Sequence, residues 1–536
     1  MKKRIYIKNW LELKPYNNQA LTDIYYLKLC NDVKEILMEP FNADLLVYLD
    51  ENEINHLACF LVSYFEDIIS DTNIWNTFKN YHTKLYNKKL PYYNTDEYFE
   101  NEINDQDVTF LIWYFLNTVQ EDKFISPFNG FISDIAFAVM LIFEDEYEYA
   151  PENILLKSTY SLNEDVNDYY EVRNFIDTIL FKTYLFFPDT TFKLKQQEKE
   201  IIESKDENLL MFLQENRDSF LHKICTRLLS LKGKEWAAEI LGNDHPLYSD
   251  LLNMSQRISG LFLYKGQDEE YIFIEHIASG KKFDLTKESF DHYSSLKEIN
   301  KIVYFGIVQW QKEWWFSGIN FQSDYNPNII LDEKNSLKSR MQVNFLDHNT
   351  EDTDSLLQKQ LDAFLSFNNG SPIAFMKSEK INEFNKNYIE YFNNSLNLSK
   401  KALELAKNRA KNEGFFGGEN NNDLDFTETS ETGLFFFNPK SGGEIALAVN
   451  SAFPLKNNPF YNKKESENDI LHLLMAENLS KELAMYCIDN CKTKLPFFKE
   501  GVGKQYLTDI DFLLRFWKTD NYHTKPSITF TGGGEK

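Results

Sequence analysis

At 536 residues the chain exceeds one ordinary domain, and about three or four folded units are expected at the usual ~150 residues each. A formal net charge of −25 excludes a protein that coats nucleic acid or anionic membrane with its whole surface, and leaves room only for a local basic patch. Aromatic residues make up 15% of the chain, with 45 Phe and 30 Tyr, so rings are expected where Leu and Val usually fill a core.

The N-terminal Met1-Lys2-Lys3-Arg4 has the charge of a signal peptide, but Lys8, Glu12 and Lys14 interrupt any apolar core behind it, and no export signal is expected. Residues 4–8 read as a short strand, followed by a helix over 21–38 that Pro40 stops. Asp50 and Glu53 have the spacing of a capping box, after which Leu57, Phe60, Leu61, Tyr64, Phe65 and Ile68 fall on one helical face. Further helices are predicted over 74–86, 108–119, 131–143, 166–186, 209–231, 236–241 and 247–254, making the first half mainly α. The most apolar run, 135–143, is about half the ~18 residues needed to span a bilayer and is read as a buried helix. The acidic run 144–148 is read as a solvated helix end.

Residues 258–319 are the one long stretch whose apolar residues alternate as in strands. Strands are predicted over 258–265, 270–277, 282–286, 302–310 and 313–319, with Gly280 supplying the positive φ of a tight turn. Five short strands suit a small β-barrel, SH3-like or OB-like. Both faces are apolar: Ile272 and Ile274 alternate with Tyr271 and Phe273, and the neighbours Trp314 and Trp315 point to opposite sides. A barrel has one interior, so its outer face needs a cover. It is expected to be a hub clamped between the helical domain and the C-terminal domain, with Tyr304 and Trp310 not left free.

Beyond the barrel, a helix over 356–367, a strand over 373–376 and a long helix over 381–410 are predicted, then a β-hairpin over 433–449 and three closing helices near 469–475, 479–491 and 506–517. The expected architecture is multidomain α+β: a mainly α-helical domain over 1–256, a small β-barrel over 257–320, and an α+β C-terminal domain over 321–530. It carries a mobile linker at 413–432 and a disordered tail at 531–536.

Three groups of residues resemble a bacterial family of domains of unknown function. They are Ile5-Tyr6-Ile7-Lys8-Asn9-Trp10-Leu11 with Lys14-Pro15-Tyr16; Gly260-Leu261-Phe262-Leu263-Tyr264-Lys265-Gly266 with Glu275-His276-Ile277-Ala278-Ser279-Gly280-Lys281-Lys282-Phe283; and Ser441-Gly442-Gly443-Glu444-Ile445-Ala446 with Phe512-Leu513-Leu514-Arg515-Phe516-Trp517-Lys518. The barrel stretch is also similar to a β module that accompanies the SEC-C zinc motif, through Ser279-Gly280 and Trp315-Phe316-Ser317-Gly318. The closely spaced cysteines of that motif are missing here, so zinc is not carried over. The resemblance implies a compartment and an architecture but no catalytic residues.

No Walker-type loop, G-x-G-x-x-G or H-E-x-x-H occurs, and catalytic residues stay unassigned. The binding candidates are Lys281 and Lys282 at a barrel turn and Trp310, Trp314 and Trp315 on its last strands. A basic segment with Lys400, Lys401, Lys407, Arg409 and Lys411 suits phosphates or an acidic partner, although it lacks interleaved aromatics for base stacking, and a solvated helix is the weightier reading. Cys487 and Cys491 stand four apart, with His472 or His523 available to complete a metal site; buried thiols are the weightier reading, and no metal or other cofactor is assigned. Asp509, Asp511 and Glu444 are weighed as paired carboxylates, but Asp511 and Arg515 have the i, i+4 order of a surface ion pair. His245 and His276 are read as structural. Five scattered cysteines, Cys30, Cys59, Cys225, Cys487 and Cys491, fit reduced thiols in a cytoplasmic protein.

These readings favour a cytoplasmic bacterial protein that binds or assembles a protein partner without catalysis and without a membrane. Two alternatives stay open: a hydrolase or nucleic-acid-processing enzyme with a site between barrel and C-terminal domain, and a nucleic-acid-binding protein.

Overall fold

The computed structural model describes residues 4–120, 124–336, 339, 343, 350–396, 399–402, 404 and 425–524. Over these residues the chain is 56% helical, in 21 helices, with a closed five-stranded barrel in the middle and a three-stranded sheet in the C-terminal part. It divides into two units, Met1–Leu346 and Asp347–Lys536. Among the described residues no helix is long and apolar enough to cross a membrane.

The first unit opens with α1 (Ile7–Leu11), α2 (Asp23–Leu37), α3 (Leu45–Tyr48) and α4 (Glu51–Ser70). The predicted strand at 4–8 is replaced by α1. Its entry is held by a side chain rather than a neighbouring strand: the Ile5 N–H donates to Asn31 Oδ1 of α2 at 3.0 Å, and Asn31 Nδ2 donates back to the Ile5 carbonyl at 3.3 Å. The start of α4 is the expected capping box, with Glu53 N–H to Asp50 Oδ1 at 2.8 Å and Asp50 N–H to Glu53 Oε2 at 2.7 Å. Six successive residues of α4, Leu57 to Val62, are wholly inaccessible, so this helix is enclosed on all sides rather than on one face.

Around α4 stand α5 (Ile74–Tyr86), α6 (Asp105–Val119), α7 (Gly130–Glu146), α8 (Ile154–Thr159), α9 (Tyr169–Lys182), α10 (Phe192–Glu203), α11 (Leu209–Lys223), α12 (Gly233–Leu241) and α13 (Tyr248–Asn253). The core is aromatic, as composition predicts: Phe60 meets Tyr114, Phe115 and Tyr184 within 5.5–6.1 Å. Buried Asp67 accepts the Trp75 N–H and the Tyr184 hydroxyl, each at 2.8 Å, so a carboxyl group in the core caps α5. In α7 the apolar run is not wholly buried. Ile132, Ile135, Val139 and Phe143 point inward, while Phe137 is 61% and Leu141 49% exposed.

The barrel comprises β1 (Ile258–Gln267), β2 (Tyr271–His276), β3 (Lys282–Thr286), β4 (Ile302–Trp310) and β5 (Glu313–Phe316), with β6 (Phe321–Ser323) added beside β4. The order β1-β2-β3-β5-β4 closes by β1–β4 pairing, with β3 and β5 parallel. Of the two expected barrels, this connectivity is the OB-like one. Ile272, Ile274, Phe283, Leu285, Val303, Phe305 and Ile307 fill the interior. The outer face is covered as the double apolar pattern requires. Ile330 of α14 (Pro327–Asn335) packs on Leu263, Ile277 and Ile302, and α9 and α11 cover the side described below.

In the second unit, β7 (Ile373–Lys377), β8 (Thr432–Asn438) and β9 (Gly442–Leu447) form an antiparallel sheet with β8 in the middle. Helices α15 (Thr350–Phe367) and α16 (Ile381–Ser395) pack Phe364, Tyr388 and Phe392 on Phe435 and Phe437. The opposite face meets α17 (Ser466–Met475) and α18 (Lys481–Cys491) through contacts such as Phe436 with Tyr486. The chain then passes through α19 (Pro496–Lys499) and α20 (Gly503–Tyr506) into α21 (Ile510–Lys518). The predicted helix over 381–410 is interrupted after Ser395 in α16; 400–402 and 404 are again helical, and 405–410 with most of the predicted linker lie outside the described residues.

Candidate functional site

The barrel tryptophans are placed by strand alternation. Trp314 turns inward onto Phe283, with ring centroids 4.8 Å apart. Trp315 turns outward onto Tyr169 and Tyr170 of α9, at 6.2 and 6.1 Å. Trp310 is fully enclosed and donates its Nε1–H to the Asn167 carbonyl at 3.0 Å. Lys281 is half-buried and Lys282 exposed, the latter opposite Glu275 in the β2–β3 register.

The seam between barrel and helices holds a polar cluster that sequence reading missed. Arg257, 6% exposed, donates from Nη2 to Glu215 Oε2 of α11 at 2.7 Å and to the Ser317 carbonyl at 3.0 Å. The Tyr304 hydroxyl donates to the other Glu215 oxygen at 3.0 Å. The Tyr169 hydroxyl lies 2.8 Å from His222 Nε2 and donates to Ser317 Oγ at 3.1 Å. Burial, then Arg257, Arg173, Lys234 and Lys232, push the His222 imidazole down to about 3, so it is neutral. Lys234 is pushed down to about 8, chiefly by burial, while its Nζ donates to the Leu252 and Met254 carbonyls at 2.8 and 2.6 Å, at the end of α13. The cleft beside His222, Lys232 and Lys234 measures about 20 Å³, room for roughly one water. The seam is a lock, with no space for an organic substrate.

These partners come from segments 40 to 150 residues apart, which no local pattern links. One local signal was present: Gly306 sits inside a strand, where glycine often marks a close approach. A Cβ there would lie 2.2 Å from Arg257 Nη2.

A larger cleft, about 620 Å³, opens in the helical part. Its walls are the segment before α6 and the end of α7. Asn104 shapes the first, taking the Phe99 N–H on Oδ1 and donating from Nδ2 to the Phe99 and Glu102 carbonyls, all at 2.9 Å. The lining carries Glu97, Glu102, Asp105, Glu144, Asp145 and Glu148, with no lysine or arginine. Phe99, 63% exposed, and Tyr149, 75% exposed, stand among these carboxylates. The run 144–148 thus walls a cavity.

In the second unit, Cys487 and Cys491 are buried, and Cys487 Sγ donates to the Ala452 carbonyl at 3.2 Å. Burial pushes the Cys487 thiol up. His472 bonds the Ala448 carbonyl at 3.2 Å, and His523 stacks edge-on against Tyr522. Among the described residues no group of three or more His, Cys, Asp or Glu is placed to hold a metal ion. Asp511 pairs with Arg515 at 3.1 Å and accepts the Tyr522 hydroxyl at 2.6 Å, while Glu444 accepts the Ser480 N–H at 2.8 Å. Fully buried Lys518, in the sequence only part of the family resemblance, donates to the Leu473 and Ala476 carbonyls at 3.0 Å each and closes the end of α17. Burial pushes it down to about 7. Lys400 and Lys401 are exposed; Arg409, Lys407 and Lys411 lie outside the described residues.

His245 Nε2 stands 3.1 Å from the Leu162 carbonyl. His276 is fully enclosed, with Nδ1 at 2.9 Å from Ser279 Oγ, and burial pushes it down to about 4.

Residues 4–330 match the family described as protein of unknown function (DUF3843). No curated protein and no solved structure matches the chain. The likeness of the barrel to the SEC-C-associated module finds no support in these comparisons. The match covers more than half of the chain, including the whole barrel with α9 and α11 beside it, and the chain therefore belongs to the DUF3843 family.

Proposed function

We propose that the chain is a cytoplasmic bacterial binding or assembly factor without catalytic chemistry of its own, whose helical unit receives a basic, partly apolar segment of a protein partner. The cleft at the end of α7 carries this reading. Six carboxylates line it with no cation to offset them, and Phe99 and Tyr149 offer open ring faces among them. Aromatic faces and carboxylates together suit lysine or arginine side chains, through cation–π and charge attraction. On the same helix, Phe137 and Leu141, one turn apart, present an apolar stripe of the kind that marks interaction surfaces. The buried titratable groups fit a scaffold: His222, Lys234, Lys518 and Cys487 are all engaged with protein hydroxyls or carbonyls. Five free, buried cysteines suit a reducing compartment, and the bacterial origin rests on the family resemblance.

The test is fluorescence anisotropy with a labelled peptide of lysine and leucine patterned as an amphipathic helix. Saturable, salt-sensitive binding is expected, weakened about tenfold or more by Glu144→Lys combined with Glu148→Lys, and separately by Phe137→Asp. Equal binding by these variants would sink the reading. So would turnover on a hydrolase panel that one point substitution abolishes.

A further inference from the structure

The outer side of β7 is a sheet edge, and along it, lined by Ile373 to Met376, lies a groove of about 470 Å³. Strand pairing decides which backbone groups point into it. The Phe437 N–H donates to the Pro372 carbonyl at 2.8 Å and the Ser378 N–H to the Glu431 carbonyl at 3.0 Å. In that register the even-numbered residues of β7 bond to β8, and Ile373, Phe375 and Lys377 turn their N–H and C=O outward. Ile373 is already closed off: its carbonyl accepts from Asn368 Nδ2 at 3.0 Å and Ser371 Oγ at 2.8 Å, and its N–H donates to Ser371 Oγ at 3.3 Å. Phe375 N–H and C=O and the Lys377 N–H have no such partner among the described residues, whereas the Lys377 carbonyl opens the 3-10 turn Ser378–Lys380.

We infer that this groove binds an extended, uncharged segment of a partner polypeptide, which joins β7 as an added strand. The donor and acceptor of Phe375 and the donor of Lys377, two residues on, match the repeat of an extended main chain. The walls set the side-chain chemistry. Lys380 and Glu383 neutralise each other at 3.1 Å, Asn369, Asn387 and Asn457 supply amides, and Met376 and Phe384 supply an apolar surface. A segment alternating apolar with small polar residues fits both. The site lies beyond the family-matched region and is independent of the acidic cleft.

The probe is a pool of acetylated, amidated hexapeptides with valine at alternate positions and serine, threonine or asparagine between. A second pool carries N-methyl groups on alternate residues. Binding to the full chain is followed by mass spectrometry of retained peptides and by titration of the best one. Two variants leave the fold intact. Lys377 has φ −69°, which proline accepts, so Lys377→Pro deletes one outward donor; exposed Asn387→Trp fills the groove without touching the strand. Retention of unmethylated peptides, loss of the methylated pool, and binding about tenfold weaker in each variant at unchanged melting temperature are expected. Retention of no peptide, equal retention of both pools, or variants that bind as the parent does would each overturn the inference. It also falls if β7 mediates self-association that Lys377→Pro abolishes and the peptides do not compete with, because the occupant is then a second copy of this chain.

Discussion

In the barrel, β1 pairs with both β2 and β4 and β3 pairs with β5, so five strands close on themselves; in the second unit β8 takes a neighbour on each side and β7, among the described residues, pairs with a strand on one side alone. Both sheets are rich in aromatic residues. Closure engages those of the barrel in its own structure: half-buried Trp314 packs against the interior cluster, and Trp310 and Trp315 bind the barrel to its helical cover. Where the ladder stops, the backbone itself becomes the surface available for recognition. Apolar sequence marks a strand, and pairing decides whether that strand can meet a partner.

The closed side of this comparison breaks most sharply at Gly306. A Cβ there meets both Arg257 Nη2 and the Ser317 carbonyl at 2.2 Å, and the second is backbone that cannot swing away. Gly306→Val is expected to cost about 3 kcal/mol or more, read as a lowered urea midpoint in tryptophan fluorescence. An unchanged midpoint would show that Arg257 does not lock the seam.

The open side is sharpened by a pair of prolines. Ala374 gives its N–H to β8, so Ala374→Pro should remove a ladder bond and cost about 2 kcal/mol. Lys377→Pro, with its N–H outward, should stay within about 0.5 kcal/mol. Equal losses in thermal melts would mean that β7 has no free side.

A smaller effect is expected at Trp310→Phe. The ring volume is largely kept while the bond to the carbonyl of exposed Asn167 goes, at about 0.5–1.5 kcal/mol. A double-mutant cycle with Gly306→Val would show whether the two contacts belong to one seam.

Much of this architecture was legible in the chain. Alternation at Ile272 and Ile274 against Tyr271 and Phe273 gave the barrel strands and the inner face, and neighbouring Trp314 and Trp315 had to part. The capping box at Asp50 and Glu53 placed the start of α4. Residues 4–8 misled because a β-like pattern needs a partner strand, and Asn31 supplied those bonds instead. The acidic cleft was visible only as the run 144–148, since its other wall comes from 97–106. Arg257, Glu215 and His222 left no local trace beyond Gly306 inside its strand, because a buried ion pair is a property of packed segments and not of spacing.

The finest test concerns His276, which lies under Gly260 at the β1–β2 pairing. Its Nδ1 faces Ser279, and its Nε2 is buried with no partner among the described residues, 3.1 Å from where a Cβ on Gly260 would stand. Burial lowers its pKa from the ordinary value near 6.5 to about 4, so the folded chain holds it neutral where the unfolded chain takes up a proton. The sign follows from that difference. The stabilisation is complete above about pH 6.5 and is lost as pH falls toward 4, with a limiting slope of about 1.4 kcal/mol per pH unit. His222 has the same sign and, at about 3, continues the loss to lower pH. His276→Asn should therefore flatten the pH dependence of the fluorescence midpoint between 6.5 and 4 and leave the steeper acid limb below 4 in place. A slope unaltered by the substitution would exclude His276 and place the acid response in the other buried groups, among them His222 and His56, whose imidazole burial also pushes down.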